Sequence, residues 1–248
     1  RVHDRAQAIA AVQEAASAFD TFNLDLMYAL PGQTLPDLEQ DLEMALALAP
    51  KHLSIYHLTI EANTYFAKYP PVIPEDDLAY AMLDRIVERT ALQGLQRYEV
   101  SAFAQPGHRC GHNLNYWQFG DYLGIGTGAH SKISFAHRVL RQVRYREPAL
   151  YLKHAADGQP VAQSDEVSRA DLPFEFMLNA LRLREGFELA RFCERTGLPL
   201  TAIAAALDLA ESKGLLERDL KHARPTEKGF DFLSDLQELF LPSQDPVG

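Results

Sequence analysis

The sequence predicts an α/β chain in which strands alternate with helices, followed by a small helical module of winged-helix-like element order. Three observations predict it. Apolar runs of strand length recur at residues 22–30, 52–60 and 97–104. Helical patterns separate them, and that alternation implies right-handed crossovers and a parallel sheet buried on both faces. Past about residue 171 the pattern changes to three helices, a short "GLLERD" strand, a basic turn and a last helix.

Each element has a local reason. Residues 5–18 (RAQAIAAVQEAASA) are Ala-rich, with apolar Ile9 and Val12, and read as a helix. "FNLDLMYAL" (Phe22–Leu30) is a mostly apolar strand ended by Pro31-Gly32. Thr34 and Asp37 then have capping-box spacing, with Asp in place of the usual Glu or Gln. Leu38, Leu42, Ala45 and Ala49 continue as one apolar helical stripe. "HLSIYHLTI" (52–60) is the second strand. Pro74 and three acidic residues open a helix with Leu78, Met82 and Ile86 on one face, closed by Gly94. "RYEVSAFA" (97–104) is the third strand, and ligands of such a sheet sit at the strand C-terminal ends. Residues 158–171 are polar and read as a linker. Helical patterns follow at 171–182, 188–196, 201–213 and about 226–240. No repeat or low-complexity segment interrupts this order.

Composition narrows the function. The chain has 248 residues, 47% apolar and 23% charged, an ordinary globular balance. Neither a run of about 18 apolar residues nor a secretory signal is present, so no transmembrane segment is expected, while peripheral membrane contact stays open. Net charge is −10, and residues 166–248 carry ten basic against fifteen acidic side chains, the wrong sign for phosphate contacts. No nucleic-acid partner is therefore expected, despite the winged-helix-like order. Two cysteines, Cys110 and Cys193, fit a reducing cytoplasm. The chain starts with Arg1 and enters a helix at once, which reads as a fragment of a longer protein.

The stretch "CGHNLNYWQFGDYLGIGTGAH" (Cys110–His130) gathers the single tryptophan, two histidines and three alternate glycines. "GIGTGAH" superficially matches a dinucleotide loop, but no amphipathic helix follows it and no βαβ unit surrounds it. Its glycines suit close approach of a ligand or of another backbone. A neutral histidine can ligate iron and neighbouring aromatics can stack on a flat ring, although such a group can equally be core and turn. Arg138, Arg141, Arg144 and Arg146 form a basic cluster suited to carboxylates such as tetrapyrrole propionates, or a charged edge strand. Asp25 is an acid in an apolar strand, costly to bury unless paired, so it addresses either a polar ligand or a buried partner. Asn23, His57 and Glu61 read as sheet-end polar residues. HExxH, CxxC, GxSxG and P-loop motifs are absent.

"FNLDLMYALPGQT", "HLSIYHLTIEANT", "YEVSAFAQPGHRCGHNLNYW" and "YLGIGTGAHS" together resemble the radical-SAM proteins related to oxygen-independent coproporphyrinogen III dehydrogenase, and most closely the HemW-type haem chaperones. The resemblance runs through essentially the whole chain. It implies the C-terminal part of a partial (β/α)6 barrel over residues 1–160 and a HemN-type, winged-helix-like helical domain over 166–248. It also implies S-adenosylmethionine (SAM) and a 4Fe–4S cluster. The family's CxxxCxxC cluster loop is not matched by Cys110 or Cys193, so the cluster ligands are absent from this chain. Arg1 and Asp25 fall at SAM-contact positions. His112, Asn113, Tyr116 and Trp117 match the HNxxYW signature tied to haem, with His112 as the expected ligand of the haem iron. The implied function is a haem chaperone that passes haem to acceptor haem proteins, with haem covalent or not and the oligomeric state left open. The alternatives are a coproporphyrinogen III dehydrogenase, which decarboxylates propionates by radical chemistry, and a cofactor-free regulatory protein.

Overall fold

The computed structural model of the chain describes residues 4–242. The chain divides after Cys110 into two compact units.

In the first unit, helix α1 (Arg5–Ala18) leads into strand β1 (Asn23–Tyr28), helix α2 (Leu35–Ala47) and strand β2 (His52–His57). A short helix α3 (Tyr65–Lys68) and the long α4 (Asp76–Leu92) precede β3 (Gln96–Arg97) and β4 (Ala102–Ala104). The capping box expected at Thr34 forms: its side chain accepts from the Asp37 amide, and the Asp37 carboxylate accepts from the Thr34 amide at 2.9 Å. Asp4 and Gln7 make the same reciprocal arrangement ahead of α1.

The sheet order is β1-β2-β4-β3. Only β1 and β2 pair in parallel, joined by the expected α2 crossover. The third strand departs from the expectation, because "RYEVSAFA" is not one strand. It folds into β3 and β4, antiparallel to each other, and β4 runs antiparallel to β2. The cause lies in the turn: the Glu99 carboxylate accepts from the Ser101 amide, and the Arg97 guanidinium donates to the Val100 carbonyl. These side-chain bonds reverse the backbone where an apolar run alone reads as continuous.

Strand alternation sorts the side chains. Leu24, Leu26, Leu53, Ile55 and Phe103 join Leu38, Leu42, Met82 and Ile86 of α2 and α4 in one buried cluster. Asn23, Asp25 and Met27 lie on the opposite, exposed side of β1, in register with His52, Ser54 and Tyr56. The apolar stripes of α2 and α4 thus cover one sheet face, and the other carries polar groups.

The second unit begins with helix α5 (Gly111–Trp117). Strands β5 (His130–Phe135), β6 (Arg138–Arg144) and β7 (Val161–Glu166) form an antiparallel sheet in that order, with helix α6 (Pro148–Ala156) between β6 and β7. Residues 158–171 therefore include a strand where their polarity reads as linker. β7 is exposed almost throughout, which explains its polar sequence. The arginine-bearing segment is the central strand β6, not an edge.

Next come α7 (Leu172–Ala180), β8 (Phe187–Glu188), α8 (Leu189–Thr196), a 3-10 turn at Leu200–Ala202 and α9 (Ala204–Ser212). The chain ends with β9 (Leu216–Arg218), β10 (His222–Pro225), α10 (Glu227–Asp231) and α11 (Leu233–Glu238). β8, β10 and β9 form a small antiparallel sheet. The expected last helix is broken at Phe232 into α10 and α11. Phe119, Phe176, Phe187, Phe192 and Leu236 belong to the buried core of this unit. Among the described residues no helix is long and apolar enough to cross a membrane.

Candidate functional site

The HNxxYW signature is helix α5, and its spacing explains itself there. Residues four apart share a helix face, so His112 lies on the same face as Tyr116, and Asn113 on the same face as Trp117. The His112 and Tyr116 rings meet edge-to-face at 4.8 Å, and the His112 imidazole is exposed. Tyr122, which has no place in the signature, continues the stack with its ring 4.4 Å from Tyr116. Its hydroxyl accepts a 2.9 Å bond from Arg141 of β6, whose guanidinium also pairs with Glu175 of α7.

Trp117 is oriented differently. The Arg182 guanidinium lies 4.2 Å from its ring centre, a cation–π contact. The Trp117 indole N–H is buried without a hydrogen-bond partner among the described residues. One face of Trp117 is therefore already occupied by protein, and His112 is the exposed donor of the group.

The turn after α5 rests on Lys132, which is 1% exposed. Its ammonium donates to the Phe119 carbonyl, Asp121 Oδ1 and Ser134 Oγ at 2.9–3.0 Å, and it sits 3.9 Å over the Phe119 ring. Burial pushes the Lys132 pKa below its usual value, against the opposing pull of Asp121. Burial also acts to raise the Asp121 pKa, but hydrogen bonds from Ser134 and Lys132 outweigh it and the carboxyl lies below its usual range. Lys132 and Asp121 are 11 positions apart with no motif between them, so no pattern in the sequence marks the pair.

The alternate glycines serve the backbone. The peptide of His130 runs against Gly124, and a Cβ there would meet the His130 carbonyl oxygen at 2.2 Å. Gly126 and Gly128 take positive φ values of 106° and 68°. The close approach is made by another backbone, and strand β5 follows, so the nucleotide-loop likeness fails structurally as well. Gly124→Ala is expected to destabilise the protein by about 1–3 kcal/mol, because two main chains must separate. A lowered denaturant midpoint at unchanged m-value checks this.

The arginine cluster is largely engaged by protein groups, not presented as free guanidinium groups. Arg141 is held by Tyr122 and Glu175, Arg144 donates to the Gly124 carbonyl at 3.1 Å, and Arg138 lies over Phe135. Arg141 and Arg144 therefore fasten the loop that carries Tyr122.

Asp25 stands in the first unit, exposed on β1, which removes the burial cost that its apolar strand suggests. Asn23 donates to its Oδ1 at 2.7 Å, and Oδ2 has no partner among the described residues. One oxygen is fixed and one is available to a ligand. Arg1 lies outside the described residues. Sequence reading missed His52, Tyr122, Lys132 and Arg182. Histidine 52 is in fact buried, and burial lowers its pKa against the opposing charge of Asp25.

No group of three or more His, Cys, Asp or Glu among the described residues could hold a metal ion, and both cysteines are free thiols. Iron and sulfide added to this 248-residue chain are expected to give no 4Fe–4S absorption and no 5′-deoxyadenosine from SAM, since the cluster needs more thiolates than two cysteines supply. Either product would refute this.

The HemN C-terminal domain family matches residues 167–232. The protein called heme chaperone HemW in Haemophilus influenzae is 40% identical over 246 residues, covering 98% of this chain and 63% of that protein. Its Escherichia coli counterpart is 42% identical over 243 residues, covering 97% and 63%, and the Bacillus subtilis protein of the same name is 32% identical over 237, covering 92% and 61%. The chain thus spans a little under two thirds of the length of these relatives. The solved structure of E. coli coproporphyrinogen III oxidase (HemN), described as a radical SAM enzyme, superposes with a TM-score of 0.75 at 19% identity, over 97% of this chain and 59% of that one. At that identity the likeness speaks for the fold, a mixed α/β architecture like that of HemN.

Proposed function

The chain is a homologue of the HemW heme chaperones along nearly its whole length, and from that premise we propose that it binds haem and passes it to acceptor haem proteins. The observation that carries the reading is the exposed imidazole of His112, backed on its own helix face by Tyr116. An imidazole with open access is a suitable axial donor, and aromatic rings beside it suit a porphyrin edge. Bound haem would supply an iron that His112 Nε2 or Nδ1 ligates. Asn113, Tyr116 and Trp117 complete the binding helix, with Trp117 acting from under Arg182.

The finer fold reading belongs to the same proposal. Residues 1–160 correspond to the C-terminal part of a partial (β/α)6 radical-SAM barrel with the haem-associated segment, and 166–248 to a winged-helix-like domain that packs and does not bind nucleic acid. SAM and a 4Fe–4S cluster, bound through residues other than the two cysteines here, support haem transfer in the cytoplasm. Asp25, whose Oδ2 has no partner among the described residues, is the acceptor for a SAM hydroxyl or ammonium, and Arg1 is a second contact.

The rival reading is propionate decarboxylation of coproporphyrinogen III, and one experiment separates the two. The full-length, cluster-loaded protein is incubated anaerobically with SAM and either haem or coproporphyrinogen III. The proposal expects a stable haem complex and no carbon dioxide. Carbon dioxide release at catalytic turnover, with no retained haem, would replace it with the enzymatic reading.

A further inference from the structure

We infer that His52 is a positioning residue that fixes the carboxylate of Asp25 through Asn23. This rests on the proposed SAM contact of Asp25. Five polar side chains of the first unit form one hydrogen-bond network, a chain of four with Ser54 as a branch. Tyr98 Oη lies 2.9 Å from His52 Nε2, and His52 Nδ1 lies 2.6 Å from Asn23 Oδ1. Ser54 Oγ donates to that same Asn23 oxygen at 3.1 Å. The amide nitrogen of Asn23 donates to Asp25 Oδ1 at 2.7 Å.

The direction of each bond follows from the chemistry of its end. An ionised carboxylate only accepts, so Asn23 must turn its NH2 toward Asp25. Its carbonyl oxygen then faces His52 and can only accept, so His52 Nδ1 carries a proton. In a neutral imidazole the other nitrogen is an acceptor, and the Tyr98 hydroxyl donates to it. Every donor meets an acceptor, and reversing one member leaves two like groups facing each other.

The chain joins a buried end to an open end. His52 and Ser54 are each 3% exposed, whereas Asn23 and Asp25 are exposed on the edge strand β1. The parallel register puts Asn23 opposite His52 and Asp25 opposite Ser54, which brings the groups together. A free Asp side chain on an exposed strand samples several rotamers. Here the buried histidine holds Asn23 and Asn23 holds Oδ1, so Oδ2 presents its lone pairs in a fixed direction. Binding a ligand then costs less ordering of the side chain. The pattern Asn-x-Asp with a buried His one strand away is more than local sheet chemistry requires, since a hydrophobic residue at 52 would fill the same space.

The test is a set of equilibrium SAM titrations on the full-length, cluster-loaded protein under anaerobic conditions. His52→Leu and Asn23→Ala are each expected to weaken SAM binding about tenfold, the scale of one hydrogen bond to a charged group. His52→Asn, whose amide can supply the donor in place of Nδ1–H, is expected to recover most of that loss. In an Asp25→Asn background, adding His52→Leu is expected to change affinity less than about twofold, because the group it positions is gone. A purely structural His52 gives the opposite pattern, with the same loss in both backgrounds. Asn23 is exposed, so Asn23→Ala tests the relay even if His52→Leu does not fold. Wild-type affinity in Asp25→Asn sinks the SAM reading of Asp25 itself. Wild-type affinity in Asn23→Ala beside a weakened Asp25→Asn sinks the relay alone, as does a full His52→Leu loss in the Asp25→Asn background.

Discussion

Replacing His112 by Ala is expected to abolish the Soret band of the haem complex or shift it to that of weakly held haem, with affinity falling about a hundredfold or more. Removing a partner that merely orients a metal ligand costs about 10–100-fold in metal affinity, so the donor itself lies at or beyond the top of that range. His112 is exposed on α5 and its stability role is slight, so the loss belongs to binding and not to folding. Tyr122→Phe should leave the band in place and weaken affinity modestly, because it removes only the hydroxyl that Arg141 holds. Cys110 is the rival donor two positions upstream, and a thiolate gives a different spectrum. A wild-type spectrum in His112→Ala, together with its loss in Cys110→Ala, would transfer the ligand role to the thiol.

Phe176→Ala is expected to destabilise the second unit by about 3–5 kcal/mol, the usual cost of emptying a large aromatic site in a core. Phe176 is fully buried, and its ring meets those of Phe119, Phe187 and Phe192 at 5.1–5.6 Å. No single neighbour can collapse into the space without leaving the other contacts. Trp117 is the only tryptophan of the chain and lies in this unit, so its fluorescence reports this unit's unfolding. The denaturant midpoint followed that way should fall sharply. Phe119 is two residues beyond α5, so the same change should also loosen the helix that carries His112 and lower haem affinity. A shift below about 1 kcal/mol would mean the aromatic cluster is not the core of the unit.

The elements that were legible in the sequence are those governed by local rules. The apolar stripes placed α2 and α4, the Thr34 and Asp37 spacing marked a cap that forms, and the apolar run at 22–30 contains β1. What the sequence hid depended on side chains reaching across space. The hairpin of β3 and β4 arises from Glu99 and Arg97 bonding to nearby backbone, and a strand pattern does not encode that. β7 read as linker because an exposed strand has no apolar face to display. In the candidate site the signature residues His112, Asn113, Tyr116 and Trp117 were visible through the family resemblance. Their supports were not: Arg182 lies 65 positions from Trp117, and Arg141 lies 19 from Tyr122, in segments with no motif. The arginines of β6 were conspicuous for their charge, yet Arg141 and Arg144 spend it on Glu175, Tyr122 and a loop carbonyl.

Haem transfer from the full-length protein to a second protein is the direct test of the proposed role of the His112 helix. The full-length protein is loaded with haem, freed of excess, and mixed with an apo haem protein whose holo spectrum is distinct. The acceptor's Soret band is expected to grow as the donor's declines, and His112→Ala is expected neither to load nor to donate. Haem that stays on the donor, or transfer of equal rate and extent from His112→Ala, would contradict it.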